Sequence, residues 1–191
     1  MIKFPFETPA ILVEQPLGSF YITKLPARLL LQVSFSDVLR ATHTDNPSRP
    51  YHLSGTQREQ QSKRLLQIGQ YIDREDSAFP NAIILAANIR PEDGLIEEAR
   101  AGEVGLAELP GASEEEKAAA LDPARVDRRW YISDDGKGCS WLKIPTDAKL
   151  AAVIDGQHRL WGFTYAEVIS RLEMELSCAI YMDLPKPFQA Q

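Results

Sequence analysis

One stretch constrains this chain more than any other: Ala151 to Phe163, reading AAVIDGQHRLWGF. Ala151 to Ile154 is a short apolar run ending in a β-branched pair, the form of a buried strand. Asp155-Gly156 is a turn signal, because Gly accepts positive φ and Asp bonds forward to free backbone N–H groups. From Gln157 onward Leu160, Phe163, Val168, Leu172 and Leu176 keep close to a 3.6 period, which predicts a helix through the segment.

A strand that feeds a helix through Asp-Gly leaves orphan N–H groups and the positive end of a dipole at the turn. That corner suits an anion. Gln157, His158 and Arg159 fall in the first helical turn, where polar side chains can join the amides around a phosphate. Cationic residues are disfavoured at a helix N-terminus unless something negative sits among them. The competing reading is structural: Asp155 caps the helix, Arg159 pairs with a nearby carboxylate and His158 is a satisfied core residue.

At 191 residues the chain is one domain, or one domain with an insertion. A net charge of −6 does not suggest a non-specific nucleic-acid binder. Residues 91 to 129 hold eleven acids and five bases, so this segment alone carries the whole excess and the remainder is neutral. Weak apolar periodicity there predicts a solvent-facing, mobile acidic insertion, helical in part at 113 to 121. Cys139 and Cys178 form no CxxC, so neither a zinc site nor a disulfide framework is indicated. His43 and His52 have no third ligand near them in sequence, and no metal site is assigned. No apolar run reaches membrane-spanning length, and the first residues are too short and polar for a signal peptide, so a cytoplasmic protein without membrane contact is expected.

In chain order, Pro5, Pro9 and Pro16 suggest an extended arm with one edge strand over residues 1 to 18. Residues 18 to 26 form a strand, and 27 to 33 a second strand or a helical turn. A short helix starts near Ser36, and 42 to 55 is loop. Thr56-Gln57-Arg58-Glu59 has capping-box form, and Leu65, Ile68 and Ile72 then mark an amphipathic helix over 57 to 74. Its polar face carries Gln57, Arg58, Gln61, Lys63 and Arg64. A buried strand follows at 82 to 89. A hairpin is centred on Asp134-Asp135-Gly136-Lys137-Gly138, and a last strand runs from 177 to 182.

The string Ile154-Asp155-Gly156-Gln157-His158-Arg159-Leu160 resembles the signature of the DGQHR-domain proteins. These are bacterial and archaeal proteins found among DNA-modification genes, the regulator of DNA phosphorothioation among them. They resemble in turn the wider ParB/sulfiredoxin superfamily. The strand at 18 to 25, Gly55-Thr56-Gln57-Arg58, Phe79-Pro80-Asn81 and the strand after the DGQHR helix follow the same order. The resemblance implies an α+β fold of the ParB/sulfiredoxin-like kind, a small mixed sheet with helices. It also implies a nucleotide site in which Gly156, Gln157, His158 and Arg159 face the phosphates and Gln57 and Arg58 close the site from the long helix. Gln157 stands where sulfiredoxins have their reactive Cys, so that redox chemistry is not implied. Proteins with an Asp-Gly-Gln-Gln-Arg string look like NTP hydrolases. The family continues beyond the point reached at Gln191, so a longer protein of which this is an N-terminal part is expected.

Three functions follow. The first is binding of an NTP, ATP or CTP with Mg²⁺, in a DNA-modification or phage-defence system. Slow hydrolysis would extend it, with Asp155 and His158 as the catalytic candidates: Asp155 would position the turn or a metal-bound water, and His158 would stabilise phosphoryl charge beside Arg159. The second is a DNA-binding transcriptional regulator of a modification gene cluster, drawing on Arg58, Lys63, Arg64 and Arg128-Arg129. The third is a scaffold whose DGQHR corner only braces the fold. Other DNA-modification proteins and a second copy of the chain are the further partners considered.

Overall fold

The computed structural model describes residues 2–16, 18–36, 40–43, 51–54, 59–89, 128–136 and 139–184, with backbone alone for 40–43, 51–54 and 59–62. The predicted insertion at 91 to 129 therefore lies outside the described residues except for Arg128 and Arg129. Gln57 and Arg58 lie outside them too.

The fold is α+β. Its strands are β1 (Phe6–Gln15), β2 (Gly18–Pro26), β3 (Ser34–Phe35), β4 (Arg40–His43), β5 (Tyr51–Ser54), β6 (Ile83–Ala87), β7 (Tyr131–Asp134), β8 (Ser140–Ile144), β9 (Ala151–Asp155) and β10 (Glu175–Met182). The helices are α1 (Ala27–Val33), α2 (Glu59–Ile72) and α3 (Gln157–Gly162), with a 3₁₀ turn at Ile169–Glu173. Eight strands form one mixed sheet in the order β3-β9-β6-β10-β2-β1-β8-β7, larger than the small sheet expected. Strand β10 runs parallel to β6 and β3 parallel to β9; the other neighbours are antiparallel. Among the described residues no helix is long and apolar enough to cross a membrane.

Local chemistry explains most elements. Pro26 ends β2 in an extended conformation, and the Ala-Arg-Leu-Leu-Leu-Gln run behind it favours helix, which resolves the strand-or-helix ambiguity at 27 to 33. Leu29, Leu30 and Leu31 are fully buried, and Lys149 Nζ donates to the Leu31 and Ser34 carbonyls at the helix's negative end. Helix α2 buries Leu65 and Ile72, the stripe its periodicity marked. Segment 42 to 55 is not wholly loop: β4 pairs antiparallel with β5, with His43 opposite Tyr51 and His52 opposite Thr42.

The N-terminal segment is the larger correction. It is no edge arm, because β1 lies between β2 and β8. The strand divides its pairing: Phe6 to Ala10 ladder with β8, and Ile11 to Gln15 with β2. Pro9 falls where the β2 ladder has stopped, so its missing N–H costs no bond there. Side chains take over on that flank. Thr23 Oγ1 donates to the Pro9 carbonyl at 2.7 Å and lies 3.3 Å from Thr8 Oγ1.

The helix predicted from Gln157 to Leu176 is also cut short. Helix α3 ends at Gly162, where bonding tightens: Phe163, Thr164 and Tyr165 amides donate three residues back, and Thr164 Oγ1 takes up the Trp161 carbonyl at 2.7 Å. Asp73, just past α2, then accepts the amides of Glu167 and Val168 at 2.9 and 3.0 Å, which fixes the turn into the 3₁₀ segment. Leu160, Phe163, Leu172 and Leu176 are all buried, as their spacing required, but a helix, a turn, a 3₁₀ segment and a strand supply them.

Candidate functional site

Strand β9, Gly156 and α3 form the strand-turn-helix corner. Gly156 has φ +87°, the left-handed value the turn needed. A Cβ there would come within 2.6 Å of Ile83 Cδ1 and 3.0 Å of Arg159 Nη2. Asp155 makes no cap bond to the helix; its side chain is 69% exposed, and among the described residues it accepts one side-chain bond, from Arg159 Nη2 at 3.4 Å. The alternative in which Asp155 caps the helix is therefore not what forms.

Arg159 does not stand open at this corner. Its guanidinium folds back over Gly156, donates to the carbonyl of Asn81, and donates to that of Ala82 at 3.1 Å, just ahead of β6. With its side chain 22% exposed, Arg159 ties α3 to the entry of β6. Its charge stays at the corner, but three of its N–H donors lie on protein oxygens, those of Asn81, Ala82 and Asp155.

His158 and Arg64 form a different pair. His158 is half-buried at the start of α3, and Arg64 is exposed on α2. Burial and then the Arg64 charge hold the His158 pKa below the ordinary imidazole value of 6.5. Among the described residues neither makes a hydrogen bond or an ion pair. Their approach follows from glycine. Gly162 meets Ile68, and Gly69 lies so close to Tyr165 that a Cβ would stand 2.7 Å from its carbonyl carbon. Without side chains at these two positions, α2 and α3 pack closely, and the Arg64 charge acts on His158.

The corner thus brings together Asp155, Gly156, Gln157, His158 and Arg159, and the Arg64 charge reaches it, a residue that sequence reasoning placed on the polar face of α2 and among the DNA-binding candidates. The available signal was its position beside Leu65 on the buried stripe. The amides of Gln157, His158 and Arg159 open the helix and have no partner within it. A six-residue helix contributes little dipole, so the positive charge at this corner comes chiefly from Arg64 and Arg159. No group of three His, Cys, Asp or Glu side chains among the described residues is placed to hold a metal ion. Arg129, from the second basic cluster, is taken up in a half-buried ion pair with Asp183 at 2.7 Å. No protein-family model, no curated protein and no solved structure matches this chain.

Proposed function

We propose that the Asp155–Arg159 corner binds the phosphate groups of a nucleoside triphosphate, as in a DGQHR-domain protein of ParB/sulfiredoxin-like fold. One observation supports this reading: the Arg64 charge acts on the half-buried His158 imidazole, and neither side chain makes a hydrogen bond or ion pair among the described residues. Burial and the Arg64 charge disfavour the imidazolium, and a bound polyanion offsets both and draws the imidazole into its charged form. In this reading Gly156 lets phosphate oxygens approach the backbone, Gln157 and the first-turn amides donate to them, and Arg159 braces the corner. Gln57 and Arg58, just ahead of α2, would close the site.

Mg²⁺ would be carried in by the triphosphate: the first turn of α3 holds no acidic residue, and Mg²⁺ sites of this type keep water and phosphate ligands beside a carboxylate such as Asp155. Its exposed carboxylate suits that task. Hydrolysis at this corner is expected to be slow.

The test is calorimetric titration of ATP, CTP and GTP with Mg²⁺ against the full chain and against Arg64→Ala and His158→Asn. Binding to the parent that weakens about tenfold in each variant is expected, the worth of one charge-assisted bond. Arg159→Ala is a poor probe, since it also breaks the tie to Asn81 and Ala82. Absence of nucleotide heat, with salt-sensitive binding to duplex DNA instead, would overturn the reading in favour of a regulator. Silence in both would leave the corner a brace.

A further inference from the structure

The opposite end of β6 holds a second constructed site. Strand β6 pairs Ile84 with Asp155 near its start and gives way to Asn88, roughly 13 Å further on at about 3.3 Å per residue. There β6 and β10 finish side by side as parallel strands, the end of a sheet where ligands are commonly received. Each strand is followed by a non-glycine residue with positive φ: Asn88 at 65° and Asp183 at 56°. Asn and Asp are the non-glycine residues that reach this conformation most readily, and it persists where surrounding bonds over-determine it.

Those bonds are present. Asn88 is fully buried; its Oδ1 accepts the Trp130 amide at 2.8 Å, and its Nδ2 donates to the Trp130 carbonyl at 3.1 Å and to Asp183 Oδ1 at 2.9 Å. Arg129 Nη2 donates to the same Oδ1 at 2.7 Å. Two donors therefore converge on one oxygen of Asp183, while Oδ2 accepts no hydrogen bond among the described residues. Beside this network opens a cavity of about 960 Å³ walled by Tyr21, Trp130, Tyr131 and Met182, with Arg129 and Asp183 at its polar side. That volume lies in the range of small-molecule sites, and mostly apolar walls with one fixed polar group are their usual make-up.

We infer that this cavity binds a planar, uncharged heteroaromatic molecule with an N–H donor, its ring against Tyr131 and Tyr21 and its donor on Asp183 Oδ2. Aromatic walls select a flat ring. Arg129 neutralises Asp183, so a charged ligand has no unmatched partner here. The remaining carboxylate oxygen is an acceptor and calls for a donor. The site is independent of the phosphate corner and does not rest on it.

Adenine is the probe, titrated by calorimetry against the full chain, with 9-methylpurine, which lacks an N–H donor, as its comparator. Saturable adenine binding is expected, about tenfold weaker for 9-methylpurine and for Asp183→Asn, which turns the acceptor into a donor. Asn suits the left-handed backbone at 183, and Tyr131→Ala, which removes an exposed ring, gives a second route should Asp183→Asn loosen the strand end. Arg64→Ala should leave adenine binding unchanged, which separates this site from the phosphate corner. No saturable heat with adenine, equal affinity for the two purines, or full binding by both Asp183→Asn and Tyr131→Ala would overturn the inference.

Discussion

Arg159 and Gly156 occupy one small volume: a Cβ on residue 156 would stand 3.0 Å from Arg159 Nη2 and 2.6 Å from Ile83 Cδ1. The left-handed turn and the folded-back guanidinium depend on each other. Gly156→Ala combines backbone strain at φ +87° with this steric conflict and should cost about 1–3 kcal/mol. Urea denaturation measures it; a shift under a few tenths would mean that Arg159 swings away freely.

His158 offers a pH test. Its folded pKa lies below 6.5, through burial first and Arg64 second. The unfolded chain therefore binds the proton more readily, so the neutral imidazole's contribution to stability is present above about pH 6.5 and is lost as pH falls from there toward the folded value. An NMR titration should place His158 below 6.5 in the free protein. Arg64→Ala should move it up, and ATP should move it up further. By the same linkage, phosphate affinity should rise as pH falls through that window.

The cysteines should separate cleanly. Cys139 is exposed, whereas Cys178 is buried and its thiol is pushed up to about 12, by burial against a smaller opposing contribution from the Leu25 backbone. One thiol should react with an aromatic disulfide reagent in the native protein and both in denaturant. Rapid reaction of both in the native state would contradict the β10 packing.

Gly162→Ala tests the contact of α2 with α3. The added methyl meets Ile68, and overpacking of this kind costs about 1–3 kcal/mol. Because it pushes Arg64 from His158, the variant should also raise the His158 pKa. An unchanged titration would separate helix spacing from the cationic pair.

Thr23→Val tests how β1 accommodates a proline. The Pro9 carbonyl would lose its 2.7 Å donor and Thr8 Oγ1 its neighbour, for an expected loss of about 1–2 kcal/mol. Hydrogen exchange should quicken at Ile11 and Ile22, where the backbone ladder begins. Equal exchange rates would show that the hydroxyl adds nothing to the ladder.

Taken alone, the sequence determined whatever depends on neighbours a few residues apart. The β9 strand, the left-handed Gly156, the α2 stripe, the hairpin of β7 and β8 and the final strand all follow from turn chemistry and apolar period. Where the element was misread, burial still followed the period at Leu172 and Leu176, but not at Val168, which is 41% exposed because the turn carries it out of the core. Tertiary structure decided the rest. It set β1 inside the sheet, because strand order depends on partners as distant as β8. It turned Arg159 onto the carbonyls of Asn81 and Ala82 and brought Arg64 to His158 in its place. It joined Asn88 to Asp183 across ninety-five residues. A side chain's type says which partners it can take; only the packing of remote segments says which of them it meets, since that choice rests on burial and strand pairing summed over the whole chain.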